Sequence, residues 1–129
     1  MKTAQEIEAG LTNFYGTEAY HRLSALFPRV VATDGVKWLA ENAECFWLMD
    51  IIASHQAEIK QKRSIQGLQV WQLTKKQGGG CQVVCTNGNK RAREVVHQDV
   101  PMTDFPLGTI RLYCEPQEDL QVILLPGEH

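Results

Sequence analysis

The sequence has little that advertises a chemistry. It contains no Cys-x-x-Cys pair, no HExxH, no nucleophile elbow and no EF-hand loop. The usual local signatures of zinc, redox, hydrolase and calcium sites are therefore missing. No uncharged run approaches the ~18 apolar residues of a membrane span. Residues 1–6, Met-Lys-Thr-Ala-Gln-Glu, carry no apolar h-region of a secretory signal. These absences predict a cytoplasmic protein that is not in a membrane and carries no cofactor and no metal. Aromatic residues are only 8% of the chain. Most unusually, residues 60–93 contain no Asp or Glu at all.

What is present is ordinary in amount and uneven in arrangement. The chain has 129 residues, 43% of them hydrophobic and 22% charged. That composition and length predict one soluble globular domain over 1–129. The formal net charge of −2 conceals three blocks. Residues 1–59 hold four basic and eight acidic residues, and residues 94–129 hold one basic and seven acidic. The block between them carries Lys60, Lys62, Arg63, Lys75, Lys76, Lys90, Arg91 and Arg93. A carboxylate-free stretch of that kind predicts a cationic surface for an anionic counterpart. The counterpart is an acidic protein, a nucleic acid or, in a homodimer, the acidic tail of a second copy. The competing account is that the fold lays the acidic tail beside the basic block and the charges cancel.

The first half reads as helix. Thr3 and Glu6 form a capping box, and Ile7, Leu11 and Phe14 follow on one stripe, with Gly16 as a stop. Residues 17–32 have apolar residues at roughly helical spacing up to Pro28, and Arg29–Ala32 then has an extended character. Thr33 or Asp34 is an N-cap for a helical element over 34–60, broken near Asn42–Glu44. Its middle, Cys45-Phe46-Trp47-Leu48-Met49, is apolar all round and so predicts burial all round.

From Gly67 the period changes to two. Residues 68–73, 81–85, 90–98, 110–114 and 120–125 alternate as strands. Three glycines at 78–80, Asn87-Gly88 and the 116–119 segment supply turns, with Asn-Gly the strongest short hairpin signal. Short connections predict an antiparallel meander. The fold class expected is α+β, with the N-terminal helices on one face of about five antiparallel strands.

Several residues are candidates for function. Asp50 interrupts a core-like run, which points to a raised-pKa acid or to a carboxylate that fixes backbone amides. Asp34 and Asp104 each sit beside a turn former. Their alternatives are two loop carboxylates in a shared cleft, or an N-cap and an Asx-type turn. An enzymatic arrangement would bring Asp50, Asp104 and His97 together, whereas Asp50 and His55 lie about 140° apart on a helix and do not share a face. Catalysis is the less favoured expectation, and no catalytic residue is assigned. Lys75, Lys76, Lys90, Arg91 and Arg93 are the binding candidates, with Trp71 as an aromatic platform between cations. Trp71 shares a strand face with Gln69 and Leu73; that face is the open one if Leu68 and Val70 pack on the helices, and the core if they do not. Cys81 and Cys85 on one strand are ~13 Å apart, too far for a disulfide or a shared tetrahedral zinc. Cys45 and Cys114 sit among apolar residues as small hydrophobes.

Five segments carry a resemblance. Residues 14–18 (FYGTE), 33–43 (TDGVKWLAENA), 47–54 (WLMDIIAS), 103–107 (TDFPL) and 124–128 (LLPGE) are similar, in order, to the signature segments of a family of short bacterial proteins of unknown function. The resemblance spans almost the whole chain. It implies a bacterial, cytosolic protein complete by itself, and no activity, cofactor or catalytic residue. It also implies that this chain is longer between Gln56 and Gln66 and around the three glycines, so that basic residues there are particular to it. Together these observations favour a small interaction or regulatory module; nucleic-acid binding through 60–93 is the alternative.

Overall fold

The computed structural model describes residues 1–89 and 93–129. Its elements run α1 (Ala4–Leu11), β1 (His21–Arg22), β2 (Val30–Ala32), α2 (Asp34–Asn42), α3 (Phe46–Ser54), α4 (Gln56–Ile59), β3 (Gln69–Lys75), β4 (Cys81–Thr86), β5 (Val96–Val100), β6 (Thr109–Gln117) and β7 (Leu120–Leu124). A 3₁₀ turn, Pro126–Glu128, follows β7. The class is α+β, but the sheet is larger and more mixed than five antiparallel strands. Seven strands stand in the order β1-β2-β7-β6-β3-β4-β5. Neighbours are antiparallel except β2 and β7, which pair parallel through Val30–Ala32 and Gln121–Ile123.

The helix boundaries follow local chemistry. The Thr3 hydroxyl accepts from the Glu6 amide at 3.2 Å while the Glu6 carboxylate accepts from the Thr3 amide at 3.1 Å, so the capping box forms. α1 stops at Leu11, earlier than Gly16, and Phe14 leaves the helix to pack on Trp38 with ring centroids 5.8 Å apart. The break in the 34–60 element falls where expected. The Cys45 amide donates back to the Ala40 carbonyl at 3.0 Å while Glu44 adopts φ 50°, a Schellman closure with a glutamate in the left-handed position. α3 is not buried all round: Phe46 is 43% exposed and Asp50 lies on the same outer stripe, four residues on.

Residues 17–32 form no helix. Two short strands stand there instead: β1, paired antiparallel with β2, and β2 itself, within the Arg29–Ala32 stretch that reads as extended. The 87–98 region also differs. Gly88 takes φ 86°, but Asn87 does not share the positive φ that a two-residue turn demands. Past Thr86 the Asn89 amide donates to the Asn87 side chain at 3.0 Å, and β5 begins only at Val96. The strand expected from residue 90 therefore starts later; residues 90–92 lie outside the described part. Pro116 belongs to β6, beyond the last β3 pairing at Cys114, where its missing N–H breaks no ladder bond.

Alternation sorts the sheet into two faces. Trp71, Leu73, Val83, Cys85, Leu112, Cys114 and Ile123 join Ile7, Val36, Leu39, Leu48, Met49 and Ile52 in one buried cluster, so the helices cover that face. On β2 and β7 the opposite face is buried too, through Val31, Val122 and Leu124. Over β3, β4 and β6 it is open.

Candidate functional site

The open face is a hollow of about 650 Å³. Its floor alternates with the core: Val70, Gln72 and Thr74 from β3, Gln82, Val84 and Thr86 from β4, Arg111 and Tyr113 from β6. Gly88 closes one end, and a Cβ there would meet Val70 Cγ2 at 2.9 Å, so the backbone at that point approaches as closely as it does only with glycine. Gln72 and Arg111 are register partners, and an Arg111 Nη2 hydrogen donates to Gln72 Oε1 at 3.3 Å. Among the described lining residues Arg111 is the one cation and Glu94 the one acid. The floor thus offers amides, hydroxyls and one guanidinium, at the ~4.8 Å strand spacing of the sheet.

Among the described residues, the cations of the carboxylate-free block do not gather in one place. Lys75 and Lys76 lie at one end of the β3–β4 hairpin and Asn87–Asn89 at the other, about five residues or ~17 Å along the strands. Lys76 Nζ is held by Asp99 at 2.6 Å, and Lys62 Nζ donates to the Val95 carbonyl at 2.7 Å. Lys75 and Arg93 are exposed. Lys90 and Arg91 lie outside the described residues. Of the described cations, Lys76 and Lys62 are answered within the same chain by residues of the acidic third. At the edge of the face, His97 stands between Glu94 at 3.0 Å and Asp99 at 3.3 Å. Hydrogen bonds from these two carboxylates, Glu94 first, raise the His97 pKa; the Lys76 hydrogen bond, then that of His97, lowers that of Asp99.

Trp71 faces the helices and is 1% exposed, so it is no stacking platform. Of the two faces left open by the alternation, the larger apolar area won the core. Its indole N–H donates to Gln69 Oε1 at 2.9 Å, and Gln69 and Gln56 exchange two amide hydrogen bonds at 2.8 and 2.9 Å. This buried network satisfies its polar groups and fixes α4 on β3.

The three carboxylate candidates are apart. Asp50 is exposed rather than buried, bordering a narrow crevice with Phe27 and Ile123. Asp104 is exposed in the 101–108 connection, beside a groove formed with Trp47 and Ile51. His97 belongs to the open sheet face. A shared acid–base pocket of these groups is not what the fold builds. The turn at Asp104 is made instead by Thr103, whose hydroxyl accepts from the Phe105 amide at 3.1 Å.

Asp34 has a clear structural place. As the first residue of α2 it accepts from the Glu18 amide at 3.0 Å and pairs with His21 Nε2 at 2.7 Å, contacts that lower its pKa in that order. Its own amide donates to Thr17 Oγ1 at 2.9 Å. Beside it, Glu128 accepts from Thr33 Oγ1 at 2.6 Å, the Gly35 amide at 3.1 Å and the Leu125 amide at 3.0 Å. A Cβ at Gly35 would lie 2.8 Å from the Glu128 carboxylate, so glycine admits the carboxylate. Residues 14–18, 33–35 and 124–128 meet here, at the positive end of α2. The partnership of Glu128 with Thr33 and Gly35 has no local signal, because they lie 95 and 93 residues away.

All four cysteines are free and buried. Burial pushes the Cys45 and Cys85 thiols up to about 12, and raises those of Cys81 and Cys114 as well. They are packing groups and poor nucleophiles. Among the described residues no cluster of three or more His, Cys, Asp or Glu is arranged to hold a metal ion. Among the same residues no helix is long and apolar enough to cross a membrane.

The open-face residues Gln72, Gln82, Arg111 and Tyr113 were not singled out from sequence. Their signal lay in the alternation itself, once the Trp71 and Leu112 parity is assigned to the core.

Comparisons with known proteins place the fold and not the chemistry. No curated protein sequence matches the chain. The crystal structure of a protein of unknown function from Enterococcus faecalis is similar, with a TM-score of 0.59 over 86% of this chain and 98% of that one. The identity is 19%, so the likeness is one of fold alone. The model of DUF6876, a family of unknown function, matches residues 5–129, and the chain belongs to that family.

Proposed function

We propose that the protein is a small bacterial, cytoplasmic interaction module, without catalysis, that takes an extended acidic segment of a partner protein on its open sheet face. The observation that carries this is the hollow over β3, β4 and β6 with Arg111 as its one described cation. A guanidinium beside amide and hydroxyl side chains suits carboxylates, which it binds by paired, charge-assisted hydrogen bonds. Lys76 stands near one end as a second, weaker attraction. A nucleic acid is the poorer occupant. Trp71 is turned into the core and offers no stacking platform for bases.

The test compares a fluorescein-labelled decapeptide of alternating Glu and Thr with a single-stranded DNA decamer, by anisotropy across a salt series and by amide shift mapping. The peptide should bind and shift Gln72, Gln82, Arg111 and Tyr113, and Arg111→Gln should weaken it at least tenfold, the size of a charged hydrogen bond. Shifts confined to other surfaces, or tighter binding of the DNA with a steep salt slope, would overturn the reading.

A further inference from the structure

The five-residue strand β5 ends the sheet, and among the described residues no backbone group pairs with its outer side. An unpaired edge of this length is a template for another strand. Natural proteins commonly protect such an edge with lysine or proline within it; β5 has neither, and Pro101 comes only after it ends. Its sequence is Val96-His97-Gln98-Asp99-Val100, which reads as its own complement when reversed. Turned antiparallel about Gln98, Val96 meets Val100, His97 meets Asp99 and Gln98 meets itself. The alternation then sorts these pairs by face. Val96 and Val100 are on the helix side with Gln98, and His97 and Asp99 are on the open side, as their register with β4 requires. Directly opposite residues of unlike charge favour pairing, and like charges oppose it.

The flank on the helix side is apolar as well. Trp47, Ile51, Val100, Pro101 and Met102 border a groove of about 710 Å³ along this edge, with Met102 71% exposed. A two-fold axis at Gln98 keeps both helix layers on one side of the joined sheet, with one such apolar groove at each end of the shared edge.

We infer that β5 pairs with β5 of a second copy of this chain, antiparallel about Gln98, to make a continuous fourteen-stranded sheet. The inference is independent of what the open face binds. The pairing leaves the hollow uncovered, because the new contacts run along the strand edge.

Sedimentation equilibrium on the full chain at pH 7, from 5 to 500 µM, tests this directly (~ranges set by ordinary dimer affinities). The wild-type chain should form a dimer. His97→Glu places two carboxylates opposite each other twice per dimer and should weaken association at least tenfold. Combining His97→Glu with Asp99→Lys restores opposite charges in the same register and should restore the dimer. Both positions are exposed, and circular dichroism melts report whether each variant stays folded. A sample of mixed isotope labelling should give intermolecular contacts between Val96 and Val100. A wild-type monomer throughout the range overturns the inference, as does a dimer indifferent to His97→Glu or one whose intermolecular contacts lie elsewhere. A dimer that the double exchange fails to restore overturns the register.

Discussion

The two faces of β3, β4 and β6 are built from residues one position apart, yet they do different things. On the helix side Trp71, Leu73, Val83, Leu112 and Cys114 are sealed into the core, and the polar Gln69 there is fully partnered. On the open side Gln72, Thr74, Gln82, Arg111 and Tyr113 border a hollow and are held only by loose contacts such as the 3.3 Å Arg111–Gln72 bond. One face resists change because burial and saturated hydrogen bonds leave no slack. The other can be altered freely and can therefore be specialised for a ligand. The difference teaches that the search for function belongs to the face with weak self-contacts, even though the conspicuous residue, Trp71, lies on the other.

The sharpest way to break this comparison is Trp71→Ala. It removes the largest fully buried side chain and should cost about 3–5 kcal/mol in chemical denaturation; a loss below 1 kcal/mol would mean that Trp71 is not core. Next in size is Gln69→Ala, which leaves the Trp71 indole N–H and Gln56 Oε1 without partners, while Gln56 Nε2 keeps the Ile52 carbonyl, and should cost about 1–3 kcal/mol. Arg111→Gln, on the opposite face, should move stability by no more than about 0.5 kcal/mol. A destabilisation comparable with that of Gln69→Ala would show that the open face is structural.

The smallest effect concerns pH. Because Glu94 and Asp99 raise the pKa of folded His97, its stabilising contribution is present in full below the unfolded value of about 6.5 and is lost as pH rises through the folded value. An NMR titration should place the His97 midpoint above 6.5, and Glu94→Gln should bring it down. A wild-type midpoint at or below 6.5 contradicts the pairing.

What could be read from sequence was local. The Thr3–Glu6 box, the interruption before Cys45 and the alternation in 68–73, 81–85 and 110–114 each have their cause within a few residues, and each appears in the fold, the first strand beginning at Gln69. The failures share the opposite property. β1 is too short to show a period, and the helical spacing before Pro28 did not reveal that this stretch pairs with β2 rather than coiling. Asp50 looked buried because its neighbours are apolar, but only packing decides which stripe of α3 faces out. Of the charge clustered in sequence from 60 to 93, the described Lys62 and Lys76 stand apart, at Val95 and Asp99, since a hairpin sends its turn and its open ends in opposite directions. The two faces of Trp71 were both legible; which one the helices cover was not.

The carboxylate of Glu128 also sets an order of events. It closes the start of α2 across separations of 93 and 95 residues, and β2 finds its parallel neighbour at a similar remove. On the ribosome, the N-terminal helices are complete in sequence long before these partners emerge. Docking of α2 therefore waits for the last strand, and a nascent chain halted before residue 120 should remain open to proteases.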